Sequence, residues 1–198
     1  VTAFGAFPGV DCNPTERLLQ RLAALRLPGV APVAPALRVS AAHVRRELPR
    51  LYADRRGPAR CFVHLGVDVK GARIKLERRA FNAADFRVED VDGAQPSGEA
   101  VDPARPLGEC RETSLPLEAL RDELCAKGHS VEVSEDAGRY LCNYVFFLSL
   151  VQAGREGGAE ALFVHVPPFD RMAEDAQLAC LADLLTSLAR AEGRGLVI

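Results

Sequence analysis

The chain has 198 residues, of which 48% are apolar and 26% charged, and its net charge is −2. That is the composition of a soluble globular protein, long enough for a sizeable core in one domain spanning residues 1–198. Nothing in the charge balance advertises nucleic acid or an anionic membrane as partner, and no apolar run is as long as a membrane span.

Val1–Phe4 reads as a short buried strand, followed by the turn Gly5-Ala6-Phe7-Pro8-Gly9. The chain opens inside this strand without an initiator Met, so residues upstream of Val1 are expected. Asn13 is a natural cap, and Pro14 suits the first position of a helix running to about Arg26. Leu18, Leu19, Leu22 and Leu25 form its apolar stripe, and Pro28 and Gly29 stop it. A proline-rich loop leads to a strand near Ala36–Val39. Ala41–Arg56 is a second helical pattern, which Pro49 is expected to kink or divide. Arg60–Gly66 is a buried strand and Ala72–Arg78 another.

Asn82–Leu115 is polar and rich in Gly, Pro and acids, and a loop this long in a compact domain is more often functional than idle. Pro116–Lys127 is a helix stopped by Gly128. Ser130–Val133 is a strand, Gly138 a tight turn, and a buried helix starts at about Tyr140. Ala161–Val166 is a strand closed by Pro167-Pro168, and Glu174–Ala191 an amphipathic helix. Alternating strands and helices predict an α/β fold, a single-domain α/β/α sandwich around a mostly parallel twisted sheet. In such sheets, sites form at the carboxyl ends of strands.

Six cysteines are dispersed, at Cys12, Cys61, Cys110, Cys125, Cys142 and Cys180, with no CxxC pair. This argues against a zinc site and a disulfide framework and favours free thiols in a reducing, cytoplasmic compartment. No GxSxG, HExxH, Walker A or GxGxxG pattern is present, so no metal, nucleotide or other cofactor is implied.

Four residues fall where this architecture places chemistry. Cys142 sits near the start of the helix after Val131–Val133, where the helix dipole favours a thiolate. His64 and His165 each end an apolar strand, and Glu77 leaves a possible one. A thiol, an imidazole and a carboxylate are the parts of a cysteine hydrolase. The plainer readings are a buried core cysteine, hydrogen-bonded core histidines and a surface ion pair for Glu77. Residue types alone leave both sets open, and they do not choose between the two histidines.

Four blocks sharpen this. VTAFGAFPGVDCNP (1–14), GARIKLERRAFNAADFRVEDVDGAQP (71–96), DAGRYLCNYVFFLSL (136–150) and LFVHVPP (162–168) resemble, in order and spacing, the conserved blocks of the pyroglutamyl peptidase I family. The third is the most specific. The resemblance implies a phosphorylase/hydrolase-like sandwich and a thiol-dependent peptidase that removes N-terminal pyroglutamate from peptides, possible as a homo-oligomer. It makes Cys142 the nucleophile, His165 the general base and acid, and Glu77 the group that orients the histidine. Arg87 falls where the family helps stabilise the oxyanion. Phe4 and Phe7 match an aromatic pair that packs the lactam ring, Leu141 an apolar wall, and Val67 a backbone contact to the lactam.

The chain also departs from the family pattern. Ala3 and Pro8 stand where the family has Gly, Ala6 where it has Pro, and Asp68 and Lys70 where small residues are usual. These changes keep two rivals open: a related cysteine hydrolase with altered small-amide specificity, and a non-catalytic relative that binds peptides.

Overall fold

The computed structural model describes residues 1–5, 13–30, 36–53, 61–155 and 159–193. Seven strands and five helices are defined among them. In chain order they are β1 (Thr2–Ala3), α1 (Pro14–Leu25), α2 (Ala41–Ala53), β2 (Cys61–Val67), β3 (Ile74–Glu77), β4 (Arg79–Phe81), β5 (Cys110–Glu112), α3 (Leu117–Ala126), β6 (Val131–Ser134), α4 (Leu141–Arg155), β7 (Glu160–Val166) and α5 (Glu174–Gly193). Five strands form the central sheet in the order β1-β2-β7-β3-β6, and β4 pairs with β5 in a separate two-stranded ribbon. All neighbours in the main sheet are parallel except β3 and β7.

Directly paired residues share a face of the sheet, so the register sorts the side chains. One face carries Val63, Leu65, Leu162, Val164, Val166, Ile74, Leu76 and Val131, packed against leucines of α1, α3 and α5. The other carries two rows of different character. One row reads Gly66, His165, Lys75, Glu132 across the sheet, and the next reads Thr2, His64, Phe163, Glu77, Ser134. Helices α2 and α4 cover this second face, with Val44, Leu48, Tyr52, Phe146 and Phe147 packed around Phe163. Polar residues on one sheet face, under one helix layer, mark where chemistry can sit.

Several sequence expectations shift. α2 runs unbroken through Pro49. Proline inside a helix costs about 3 kcal/mol, and the burial of Val44, Leu48 and Tyr52 on this helix offsets it. The strand expected near Ala36–Val39 is reduced to one parallel bridge from Leu37 to Phe4. The strand expected over Ala72–Arg78 is β3, and a further strand that the sequence did not announce, β4, turns away after Arg78. The long polar segment after it is organised by Asn82. Its fully buried amide donates to the carbonyls of Asp102, Arg105 and Pro106 and accepts the Asp102 N–H at 2.7 Å.

His64 is bound up in this frame. Nδ1 lies 2.7 Å from Thr2 Oγ1 and Nε2 lies 2.7 Å from Ser149 Oγ, which in turn is 2.6 Å from the Tyr52 hydroxyl. The chain ties β1, β2, α4 and α2 together. Burial pushes the His64 imidazole down to about 3. An unfolded histidine takes up its proton near pH 6.5, so acid favours the unfolded chain between pH 6.5 and about 3, and stability is whole above that window. One such proton gives a slope approaching about 1.4 kcal/mol per pH unit. His64→Gln, which cannot titrate, should therefore lose stability less steeply over this range in denaturant titrations at stepped pH. Equal slopes would remove His64 from the acid response.

Candidate active site

Cys142 is the second residue of α4 and is half-buried. The turn before it is set by Gly138, whose φ of 82° is one that glycine adopts without strain. Asp136 Oδ1 accepts the Gly138 N–H at 3.0 Å and fixes that turn. The first helical bond runs from Tyr144 N–H to Tyr140 C=O, at 3.0 Å. The amides of Leu141, Cys142 and Asn143 thus precede the helical ladder, as the first N–H groups of any helix do. They add partial positive charge beside the sulfur.

The helix start is pinned by Asn143. Its fully buried side chain accepts the Phe81 N–H at 2.8 Å and donates to the carbonyls of Phe81 and Ala83, both at 2.9 Å. A side-chain amide thus stands in for a strand neighbour of β4. Any shift of α4 along its axis breaks all three bonds. Sequence reasoning missed this residue. The signal was there: a carboxamide inside an otherwise apolar helix run, next to the cysteine.

His165 lies on β7, in the row below Cys142. Its Nδ1 is 2.7 Å from Glu77 Oε1, which leaves Nε2 for the sulfur, and the ring is in hydrogen-bond contact with Cys142. Glu77 is completely buried, and its Oε2 has no hydrogen-bond partner among the described residues. Burial works against a charge on His165. The Cys142 sulfur and the Glu77 carboxylate facing the ring outweigh it and push the imidazole up to about 10. The structure therefore brings His165 against both Cys142 and Glu77. It keeps His64 a row away, bonded to Thr2 and Ser149. That difference separates the two histidines on geometry.

Of the remaining sequence candidates, Phe4 and Leu141 are buried in the cluster formed by α2 and α4. Val67 ends β2, and its side chain packs into the opposite layer. What it offers to the site side is backbone. Arg87 is exposed and, among the described residues, makes no hydrogen bond or ion pair. Its neighbour Phe86 packs edge-on against Tyr140, with ring centroids 4.7 Å apart, at the entry to α4. Phe7, with Ala6 and Pro8, lies outside the described residues. Asp68 follows β2 and pairs with Lys75 Nζ of β3 at 2.8 Å, so one of the two unusual charges on this loop is matched by the neighbouring strand.

The sequence profile of the pyroglutamyl peptidase family matches residues 1–185. The chain belongs to the pyroglutamyl peptidase family. A pyrrolidone-carboxylate peptidase of Thermococcus litoralis is 33% identical over 168 residues, covering 84% of this chain and 74% of the relative. The solved structure of pyrrolidone carboxyl peptidase from Thermococcus litoralis superposes with a TM-score of 0.86 at 30% identity, covering 97% of this chain and 93% of that one. The enzyme from Fervidobacterium islandicum AW-1 gives 0.88 at 26% identity, covering 96% of both chains. The α/β sandwich around a mostly parallel sheet is thus the architecture of pyroglutamyl peptidases, and the match spans both polar rows of the sheet.

Proposed function

We propose that this chain hydrolyses the peptide bond after an N-terminal pyroglutamyl residue, with Cys142 as nucleophile, His165 as general base and acid, and Glu77 holding the imidazole. The observation that carries this reading is the line from the Cys142 sulfur through His165 to Glu77, with 2.7 Å between His165 Nδ1 and Glu77 Oε1. A carboxylate on Nδ1 fixes the tautomer and favours the imidazolium.

With the ring pushed up to about 10, the proton rests on His165 at neutral pH, and Cys142 Sγ is the attacking nucleophile. Sγ adds to the carbonyl carbon that joins the pyroglutamyl ring to the next residue. The oxygen takes the negative charge and meets the free Cys142 N–H at the start of α4, with Arg87 as a further donor from the adjoining loop. The C–N bond then breaks, the Nε2 proton goes to the leaving amine, and a thioester remains. Water gives a proton to Nε2 as its oxygen attacks the thioester. The C–S bond breaks, releasing pyroglutamate and restoring the ion pair.

The substrate suits the site. Pyroglutamate is uncharged, flat and small, so apolar walls at Phe4 and Leu141 with a backbone contact at Val67 suit it, and the family resemblance adds Phe7 to them. A charged amino terminus would lose its hydration there without a partner and be rejected. Among the described residues no helix is long and apolar enough to cross a membrane. Cys110, Cys125, Cys142 and Cys180 are free thiols, which supports a reducing, cytoplasmic setting.

The test is release of aminocoumarin from its pyroglutamyl amide, before and after iodoacetamide treatment. Release should disappear as the label maps to Cys142. Labelling of Cys142 by a protein that never releases the dye would point to another small amide as substrate, and neither labelling nor release to a binding relative. The pH profile is a second check. The acid form of His165 persists to about pH 10, so kcat/KM should hold through the mildly alkaline range and fall only near that value. A fall between pH 7 and 8 would contradict a His165 that keeps its proton there.

A further inference from the structure

We propose that Gly66 is a positioning residue for the nucleophile: its missing side chain is the space that lets the Cys142 thiol meet His165. This rests on the assignment of Cys142 and His165 made above. Gly66 is in β2, directly beside His165 in the ladder and on the same face of the sheet. An ideal Cβ placed on it would stand 3.1 Å from Cys142 Sγ, 2.6 Å from Phe163 Cζ and 2.9 Å from Phe163 Cε1. Real Cβ atoms essentially never come as close as the two Phe163 contacts, and the contact to Sγ is tighter than most. Gly66 pairs along the extended strand Cys61–Val67, and its backbone is one that any residue adopts. The requirement is therefore for space and not for glycine's torsional freedom.

Which neighbour would yield follows from packing. Phe163 is completely buried. Its ring lies 6.1 Å from Phe146 and 4.8 Å from the His165 ring, centroid to centroid. It cannot move without displacing the histidine. Cys142 is half-buried, and its sulfur turns about a single bond. An added methyl thus presses on both partners at once: it pushes Sγ away at 3.1 Å, and through the closer contacts to Phe163 it pushes that ring against His165. Displacing a reacting group by about 1 Å can cost on the order of 100-fold in rate. Glycine inside a strand is itself a sign of close approach, and FVHLGV carried that sign in the sequence. There Gly66 stood out only as a strand terminator.

Gly66→Ala should lower kcat about 100-fold with KM within about threefold, because the ring-binding walls are untouched. Alkylation of Cys142 by iodoacetamide at pH 7 should slow about tenfold, a readout that lost stability alone would not move. If the single variant fails to fold, Phe163→Leu supplies a second background. Leucine lacks the two ring atoms that crowd the new methyl but leaves the sulfur contact in place. Gly66→Ala added to Phe163→Leu should then unfold near the midpoint of Phe163→Leu alone yet still lose the 100-fold. Full activity of Gly66→Ala, or recovery of the Phe163→Leu activity in the double variant, would overturn the proposal. Absence of release by the unmodified chain would instead overturn the assigned reaction, and the alkylation rates would still report on Gly66.

Discussion

His165→Ala should lower kcat/KM for pyroglutamyl-aminocoumarin by about 10⁴-fold, the order seen when a member of such a catalytic unit is lost. The expectation follows from two roles held by one ring. In the proposed mechanism it stands beside the attacking sulfur, and it delivers the proton to the leaving amine. Neither role has a substitute nearby, since His64 lies in the next row with both nitrogens held by Thr2 and Ser149. Cys142→Ala should fall to the same floor, and the double variant no further, because the residues act as one unit. The two single variants should differ in stability. Removing the half-buried thiol costs little. Removing the ring strands the fully buried Glu77 carboxylate, whose Oε2 already has no partner among the described residues. Breaking a buried pair in this way costs about 3–5 kcal/mol. Thermal unfolding should therefore drop clearly for His165→Ala and hardly for Cys142→Ala. Retained turnover in His165→Ala would sink the assignment of the general base.

Much of this architecture was legible because each element had its own local cause. The stripe Leu18, Leu19, Leu22 behind the Asn13 cap, and the apolar runs ending at His64 and His165, are short-range patterns that tertiary packing reinforces. Pro49 misled because its penalty is local and fixed, while the burial of Val44, Leu48 and Tyr52 depends on α4 lying across them. The splitting of β3 from β4 at Arg78 could not be read from alternation, since both halves alternate. It is set by which neighbour each half finds, β7 and β6 for one and β5 for the other. Among the site candidates, residue type and strand end nominated two histidines equally. Only the register, which puts His165 beside Gly66 and under Cys142, separates them by geometry. The positioning role of Asn143 was hidden for a similar reason. Its three partners are backbone groups of Phe81 and Ala83, about 60 residues away and invisible to any local pattern.

Glu77→Gln should cost about 10³- to 10⁴-fold in kcat/KM while leaving the fold assembled. The side chain keeps its shape, so the effect reads the charge and the tautomer. Two orientations of the new amide are available, and both fail. With the carbonyl oxygen on His165 Nδ1, the NH₂ group occupies the position of Oε2, buried and without an acceptor. With the NH₂ group on Nδ1, that nitrogen must accept, so the ring proton moves to Nε2. A neutral ring in this tautomer cannot take a proton from the thiol. In either state the negative charge that helps hold the imidazolium is gone. The His165 proton is then lost at lower pH than the value of about 10 supported by Cys142 and Glu77 together. The residual activity of Glu77→Gln should accordingly decline at a lower alkaline pH than the unmodified enzyme, and iodoacetamide should alkylate Cys142 more slowly at neutral pH. Glu77→Asp, which restores charge but shortens the reach, should recover the alkaline limb more fully than the rate. A Glu77→Gln profile superimposable on the unmodified one would show that the carboxylate merely fills space behind the histidine.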